Sequence, residues 1–168
     1  QAERDQIPGV FAPGARGPAM GDAMTASAEG ALALHYNPAS LGWAERHEVD
    51  VMYQDLVLGI GQGTLGYAQP AWDLSGWGVS VSYVDYGSPP RPTIAVAGGV
   101  VSASQAGTFE GSDLATGVSF GSRFWDQYAW GVTVKGISSE IDDRSASAFA
   151  ADLGLAWRSP TIPLRAGF

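Results

Sequence analysis

Apolar and polar residues alternate with a period of two over most of the second half of the chain. Trp77, Val79, Val81 and Tyr83 fall on one face of the stretch 77–86, with Gly78, Ser80 and Ser82 on the other. The beat returns at 128–135, where Tyr128, Trp130, Val132 and Val134 oppose Ala129, Gly131, Thr133 and Lys135. It returns again at 148–158, where Phe149, Ala151, Leu153, Leu155 and Trp157 oppose Ala148, Ala150, Asp152, Gly154, Ala156 and Arg158. Successive side chains of an extended strand point to opposite faces, so this pattern predicts strands. The full set is 47–55, 60–69, 76–86, 113–122, 128–137 and 148–158, with the start of a seventh at 163–168. One face is large and apolar, and the other is small, polar and partly charged. That division is expected of an antiparallel transmembrane β-barrel, apolar toward lipid and polar toward the lumen.

The predicted connections sort by length. Those at 69–75, 123–127 and 159–162 are short, while 87–112 and 138–147 are longer. Short turns on one side and long loops on the other fit a barrel whose first strand runs outward from the periplasm. Within the longest loop, 93–101 is apolar enough to pair as a small hairpin with the residues after it. Before the strands, 1–20 has no period and is interrupted by Pro8, Pro13 and Pro18 with Gly9, Gly14 and Gly17. Met24, Ala28, Ala31 and Leu32 lie at helical spacing and predict a short helix over 22–33. Asn37-Pro38-Ala39 then predicts a turn, with one helical turn at 39–43. The chain thus divides into a segment 1–46, either packed on a sheet edge or folded into a barrel mouth as a plug, and strands over 47–168.

Composition sharpens this picture. Only 15% of the 168 residues are charged, against roughly 25% in typical soluble domains, and there are 23 glycines and six each of Trp, Tyr and Phe. The net charge of −8 argues against nucleic acid as a partner. The absence of cysteine excludes disulfides and thiolate metal sites. No apolar run is long enough for a membrane-spanning helix. Gln1 at the start fits a secretion signal already removed.

Candidate chemistry is sparse. Asp113, Lys135 and Asp152 fall on the polar faces of consecutive strands at similar levels. They read as a bracing ion network, with a ligand or gating cluster as the alternative. His35 precedes the Asn-Pro turn and His47 begins a strand; neither stands in a nucleophile motif, so no catalytic role is expected. Glu140, Asp142 and Asp143 make an acidic loop whose spacing matches no calcium loop. No metal or cofactor is expected. Trp72, Trp77, Trp125, Trp130 and Trp157 gather near strand ends, as interfacial girdles of a membrane barrel would, or as core or binding aromatics of a soluble sandwich.

Several segments resemble the PorV-like branch of the FadL-type outer-membrane barrels. They are Gly14-Ala15-Arg16-Gly17-Pro18-Ala19-Met20-Gly21-Asp22-Ala23, then Leu34-His35-Tyr36-Asn37-Pro38-Ala39-Ser40-Leu41. Tyr83-Val84-Asp85-Tyr86-Gly87 and Thr108-Phe109-Glu110-Gly111-Ser112-Asp113-Leu114-Ala115 are also similar to that family. So is Ile141-Asp142-Asp143 running into Ala148-Phe149-Ala150-Ala151-Asp152-Leu153-Gly154. The resemblance implies a barrel of about fourteen strands with the N-terminal segment inserted as a plug that includes Asn37, Pro38 and Ala39. It implies residence in the outer membrane of a Gram-negative bacterium. Its implied function is as a carrier, scaffold or anchor for exported or surface proteins, as in type IX secretion. Transport of hydrophobic small molecules, with the plug as hatch, is the alternative within the family. A secreted β-sandwich binding module and an outer-membrane enzyme barrel are the readings from other classes. Relatives are longer, and the strands here account for half such a barrel. The chain is therefore expected to be a piece of one, or one half of a barrel completed by a second polypeptide.

Overall fold

The computed structural model describes residues 15–56, 59–88, 90–97, 100–108, 110–142 and 144–168, with backbone alone for 91–97 and 100–106. Residues 1–14, which hold Pro8, Pro13, Gly9 and Gly14, lie outside the described residues, as do Phe109 and Asp143.

The fold is mostly antiparallel β-sheet, 59% strand, curled into a half-barrel. Its strands are β1 (Glu48–Asp55), β2 (Gly61–Pro70), β3 (Ser75–Asp85), β4 (Pro90–Ala97), β5 (Val100–Thr108), β6 (Gly111–Trp125), β7 (Tyr128–Ile141), β8 (Arg144–Arg158) and β9 (Arg165–Gly167). The main sheet runs β1-β2-β3-β6-β7-β8-β9, every pair antiparallel. β4 and β5 form a separate hairpin between β3 and β6. This is the pairing that the apolar run at 93–101 suggested.

The face assignments follow the period of two. Val49, Val51 and Tyr53 on β1, Val79, Val81 and Tyr83 on β3, and Leu114 and Val118 on β6 are exposed on one face. Val134 on β7 and Phe149, Leu153 and Leu155 on β8 continue that face. The opposite face carries Gln62, Thr64, Ser80, Ser82, Ser119 and Thr133, all buried. Their polar groups meet across the ladder: Ser119 and Thr133 are register partners with hydroxyls 2.8 Å apart, and Gln54 donates to its partner Gln62 at 2.9 Å.

Two elements differ from expectation. Residues 138–147 are not a loop. β7 and β8 run on through them, pairing Ser138 with Ser147 and Ile141 with Arg144. Side chains there are exposed or only partly buried on both faces, so no apolar face marks the strand. The turn is two residues long, and Asp142 takes φ 53°, the left-handed conformation that short hairpin turns require and Asp tolerates. The helix over 22–33 does not form either. Gly21 and Asp22 have φ 61° and 60°, and Gly30 has φ 58°; Glu29 is extended. Short turns replace it: α1 (Arg16–Ala19), a 3-10 turn Gly30–Leu32, α2 (Ala33–Tyr36) and a 3-10 helix Pro38–Trp43. Met24, Ala28 and Ala31 are buried all the same. The apolar spacing marks contact with the sheet and not a continuous helix.

The core lies between this N-terminal segment and the small-residue face. Ala31, Ala33, Leu34 and Leu41 pack on Ala68 of β2, and Ala39 packs on Ala129 and Ala156 with Trp43 alongside. The 3-10 helix alone touches β2, β3, β6, β7 and β8. One short element reaches five neighbouring strands only if the sheet curls around it, so the segment occupies the concave side.

Candidate functional site

The most constrained place in the molecule is the seat of residues 37–44 on the sheet. Asn37 precedes proline, which disfavours helical backbone for it; it is extended (φ −159°, ψ 103°) and ends α2. Pro38 then starts the 3-10 helix, where its missing N–H costs nothing. The Asn37 side chain is almost wholly buried and fully used. Its Oδ1 accepts from the Ala39 N–H at 3.1 Å, capping the helix. Its Nδ2 donates to the Thr25 carbonyl at 3.0 Å and to the Leu155 carbonyl of β8 at 3.0 Å. One amide therefore joins two parts of the segment to the sheet.

Beneath it runs a row of glycines. Gly76 of β3 pairs with Gly121 of β6, Gly121 with Gly131 of β7, and Gly131 with Gly154 of β8. A Cβ on any of the four would come closer than 3.0 Å to the segment. At Gly154 it would strike Asn37 Oδ1, at Gly131 the Pro38–Ala39 peptide, at Gly121 the Pro38 carbonyl and at Gly76 the Leu41 carbonyl. The lengths match. Six residues of 3-10 helix span about 12 Å, and four strands span three spacings, about 14 Å. The segment lies across the strands, backbone against backbone, in a groove that only glycine leaves open. The spacing of 37–41 gave the turn, but the glycine row was not readable before the register was known. Each of these residues looked like a weak point of its own strand.

A charged clasp closes the end with the short turns. Glu29 pairs with Arg158 of β8 at 3.1 Å and with Arg165 of β9. The Arg158 guanidinium lies 4.1 Å over the Trp43 ring, and the Trp43 indole donates to the Asp126 carbonyl at 3.4 Å.

The three charges singled out on the polar face do not form one network. Lys135 of β7 and Asp152 of β8 form an ion pair. Asp113 lies level with Ser139, four residues along β7 from Lys135. Its partner is Tyr86, whose hydroxyl donates to Asp113 Oδ2 at 2.6 Å. Burial, then that hydrogen bond, pushes the Tyr86 phenol up to about 12. The histidines also part. His47 contacts the Tyr67 hydroxyl at 2.8 Å, and Tyr67 donates to Gln69 at 2.6 Å. His35 lies partly buried beneath the segment, and burial, aided by the Lys135 ammonium, holds its imidazolium down to about 4. Glu140 is in β7 and Asp142 in the turn after it. Among the described residues no three His, Asp or Glu side chains gather to hold a metal.

Asn37→Ala tests the seat. It removes the cap and leaves two carbonyls short of a donor, and it should cost about 2–4 kcal/mol of stability, read as a lower thermal midpoint. Asn37→Asp should be no better. A carboxylate can accept from Ala39 but opposes the Thr25 and Leu155 carbonyls, so recovery of wild-type stability by Asp would refute the assigned hydrogen bonds.

No protein-family model matches the chain, and no curated protein matches it.

Proposed function

We propose that this chain forms part of an outer-membrane β-barrel, with its N-terminal segment as a fixed plug, and that it serves as a carrier, scaffold or anchor for exported or surface proteins. The observation that carries this reading is the exposed outer face of the sheet. Large apolar side chains stand on it from β1 to β8, and the outward positions between Val49 and Tyr53, Trp77 and Tyr83, Leu114 and Phe120, Tyr128 and Val134, and Phe149 and Trp157 hold no charged residue. Monomeric soluble proteins rarely expose apolar patches larger than a few hundred Å². Lipid is the environment that matches such a surface.

The slope of the band agrees. Val49 is level, strand by strand, with Tyr67, Val79, Val118, Val134 and Ala151. The band's edge moves from Val49 on β1 to Trp157 on β8, six residues past Ala151 and five strand spacings away. That is about 20 Å along the strands against about 24 Å across them, a slope of about 40°. Strands tilted by about 35–45° in a flat bilayer need such a drift to keep the band level. Trp72, Trp77, Trp125, Trp130 and Trp157 all fall toward the end with the short turns. Phe124, Trp125 and Tyr128 stack on one another there, as an interfacial belt would.

The free edges of β1 and of β8 from 144 to 154 would leave backbone groups unpaired in lipid. In the membrane they are therefore paired by further strands, giving a closed barrel of about fourteen. Two observations favour a scaffold over a conduit. The inner face is small and polar, and the segment's glycine seat leaves no apolar passage across it. The direct test is deletion of the gene. Surface-exported proteins should accumulate in the periplasm while uptake of long-chain fatty acids stays normal. Loss of uptake with normal export would replace this reading with hydrophobic transport, and recovery of the protein in the soluble periplasmic fraction would end both.

A further inference from the structure

A titratable group sits where the N-terminal segment meets the sheet, and neither the glycine seat nor the charged clasp engages it. His35 of α2 lines a recess of about 310 Å³ with Tyr36, Asn37, Lys135, Asp152 and Phe168. Its Nε2 is buried and has no hydrogen-bond partner in the protein. The charged groups facing the recess are Lys135 from β7 and Asp152 from β8, already paired with each other; Tyr36 on the same turn is the other titratable group. A neutral imidazole fits this setting. An imidazolium would put a second positive charge beside Lys135, with the nearby carboxylate already engaged and little water to screen it.

We propose that His35 makes the seating of the N-terminal segment pH-dependent, so that acid loosens residues 33–43 from the sheet while the strands stay paired. The sign follows from linkage. Burial holds the seated imidazolium down to about 4 from the ordinary 6.5, so the seated state binds fewer protons than the released one. Release takes up a proton. The seat is therefore at full strength above about 6.5, weakens as pH falls, and has lost this contribution below about 4. Outward displacement of α2 alone lets His35 reach water, because Asn37, in the next element, holds the 3-10 helix by separate bonds to Thr25 and Leu155. This device depends on the seat and not on what surrounds the outer face, so it can fail or hold independently of the membrane reading.

The experiment is hydrogen exchange by mass spectrometry on the full protein in detergent, from neutral pH to about pH 4.5 and corrected for intrinsic rates. Exchange of amides 33–43 should rise about tenfold or more on acidification, with strand amides unchanged. His35→Gln keeps a polar side chain but cannot take the charge, and it should flatten the response. An equal rise in His35→Gln, or none in the wild type, overturns the proposal. Should His35→Gln not fold, the His35 ring is titrated directly by NMR in the wild type, with His47 identified through His47→Gln. A His35 midpoint near the ordinary 6.5 overturns the proposal as well.

Discussion

Gly131→Val should lift the N-terminal segment off the sheet and cost about 3 kcal/mol or more. A Cβ at this position meets the backbone of Pro38 and Ala39 on one side, while its own backbone is fixed by ladders to Gly121 and Gly154. Neither side can yield as a flexible side chain would. The overlap is relieved only by moving residues 37–41 away, which breaks the Asn37 hydrogen bonds and exposes Leu34, Ala39 and Leu41, all buried in the wild type. Exchange or proteolysis over 33–43 reads the displacement, and thermal unfolding reads the cost. Gly136→Ala is the control. A Cβ there finds Thr116 Oγ1 at 3.6 Å, an ordinary contact, so stability should hold or rise slightly, because alanine restricts the unfolded chain more than glycine does. Equal effects of the two would mean that the glycine row is a matter of strand backbone and not of the seat.

Val118→Arg should destabilise the protein by about 2–4 kcal/mol when it is folded into lipid vesicles. Val118 is more than half exposed and points outward from the middle of β6, so in water the same change should stay within about 0.5 kcal/mol. The large expected effect comes entirely from the bilayer. Ser145→Arg is the matched control, on the exposed part of β8 beyond the apolar band. Its cost should be near zero in either medium. A small effect of Val118→Arg in vesicles would remove lipid from the outer face.

Much of the sheet could be read directly because one face of each strand is apolar. Trp77 to Tyr83 and Phe149 to Trp157 declare their inward and outward sides residue by residue. The signal failed wherever burial does not divide the faces. Residues 138–147 have no apolar face, so their alternation carries no information about pairing. Met24, Ala28 and Ala31 suggested a helix because three turns packed on one surface bury residues at nearly helical intervals. Positive φ at Gly21, Asp22 and Gly30 was what the pattern could not supply. The seat was half legible. Asn37-Pro38-Ala39 announced a turn by its own chemistry, whereas Gly76, Gly121, Gly131 and Gly154 acquire meaning only when four strands are aligned. The level of Asp113 likewise depended on register. A displacement of four residues along β7 separates it from Lys135 and leaves Tyr86 as its partner.

The central claim is that the apolar outer face of this sheet lies in lipid. It is tested most directly by single nitroxide labels at 77–84 of β3 in the membrane-embedded protein, comparing collisions with oxygen and with a water-soluble nickel chelate. Labels at 77, 79, 81 and 83 should collide with oxygen and be sheltered from nickel. Those at 78, 80, 82 and 84, which face inward, should be sheltered from oxygen. A period of two in oxygen access, in that phase, is the predicted result. Nickel access at 79 and 81 equal to that of a water-exposed loop would contradict the membrane account and leave a sheet whose apolar face must be covered by protein.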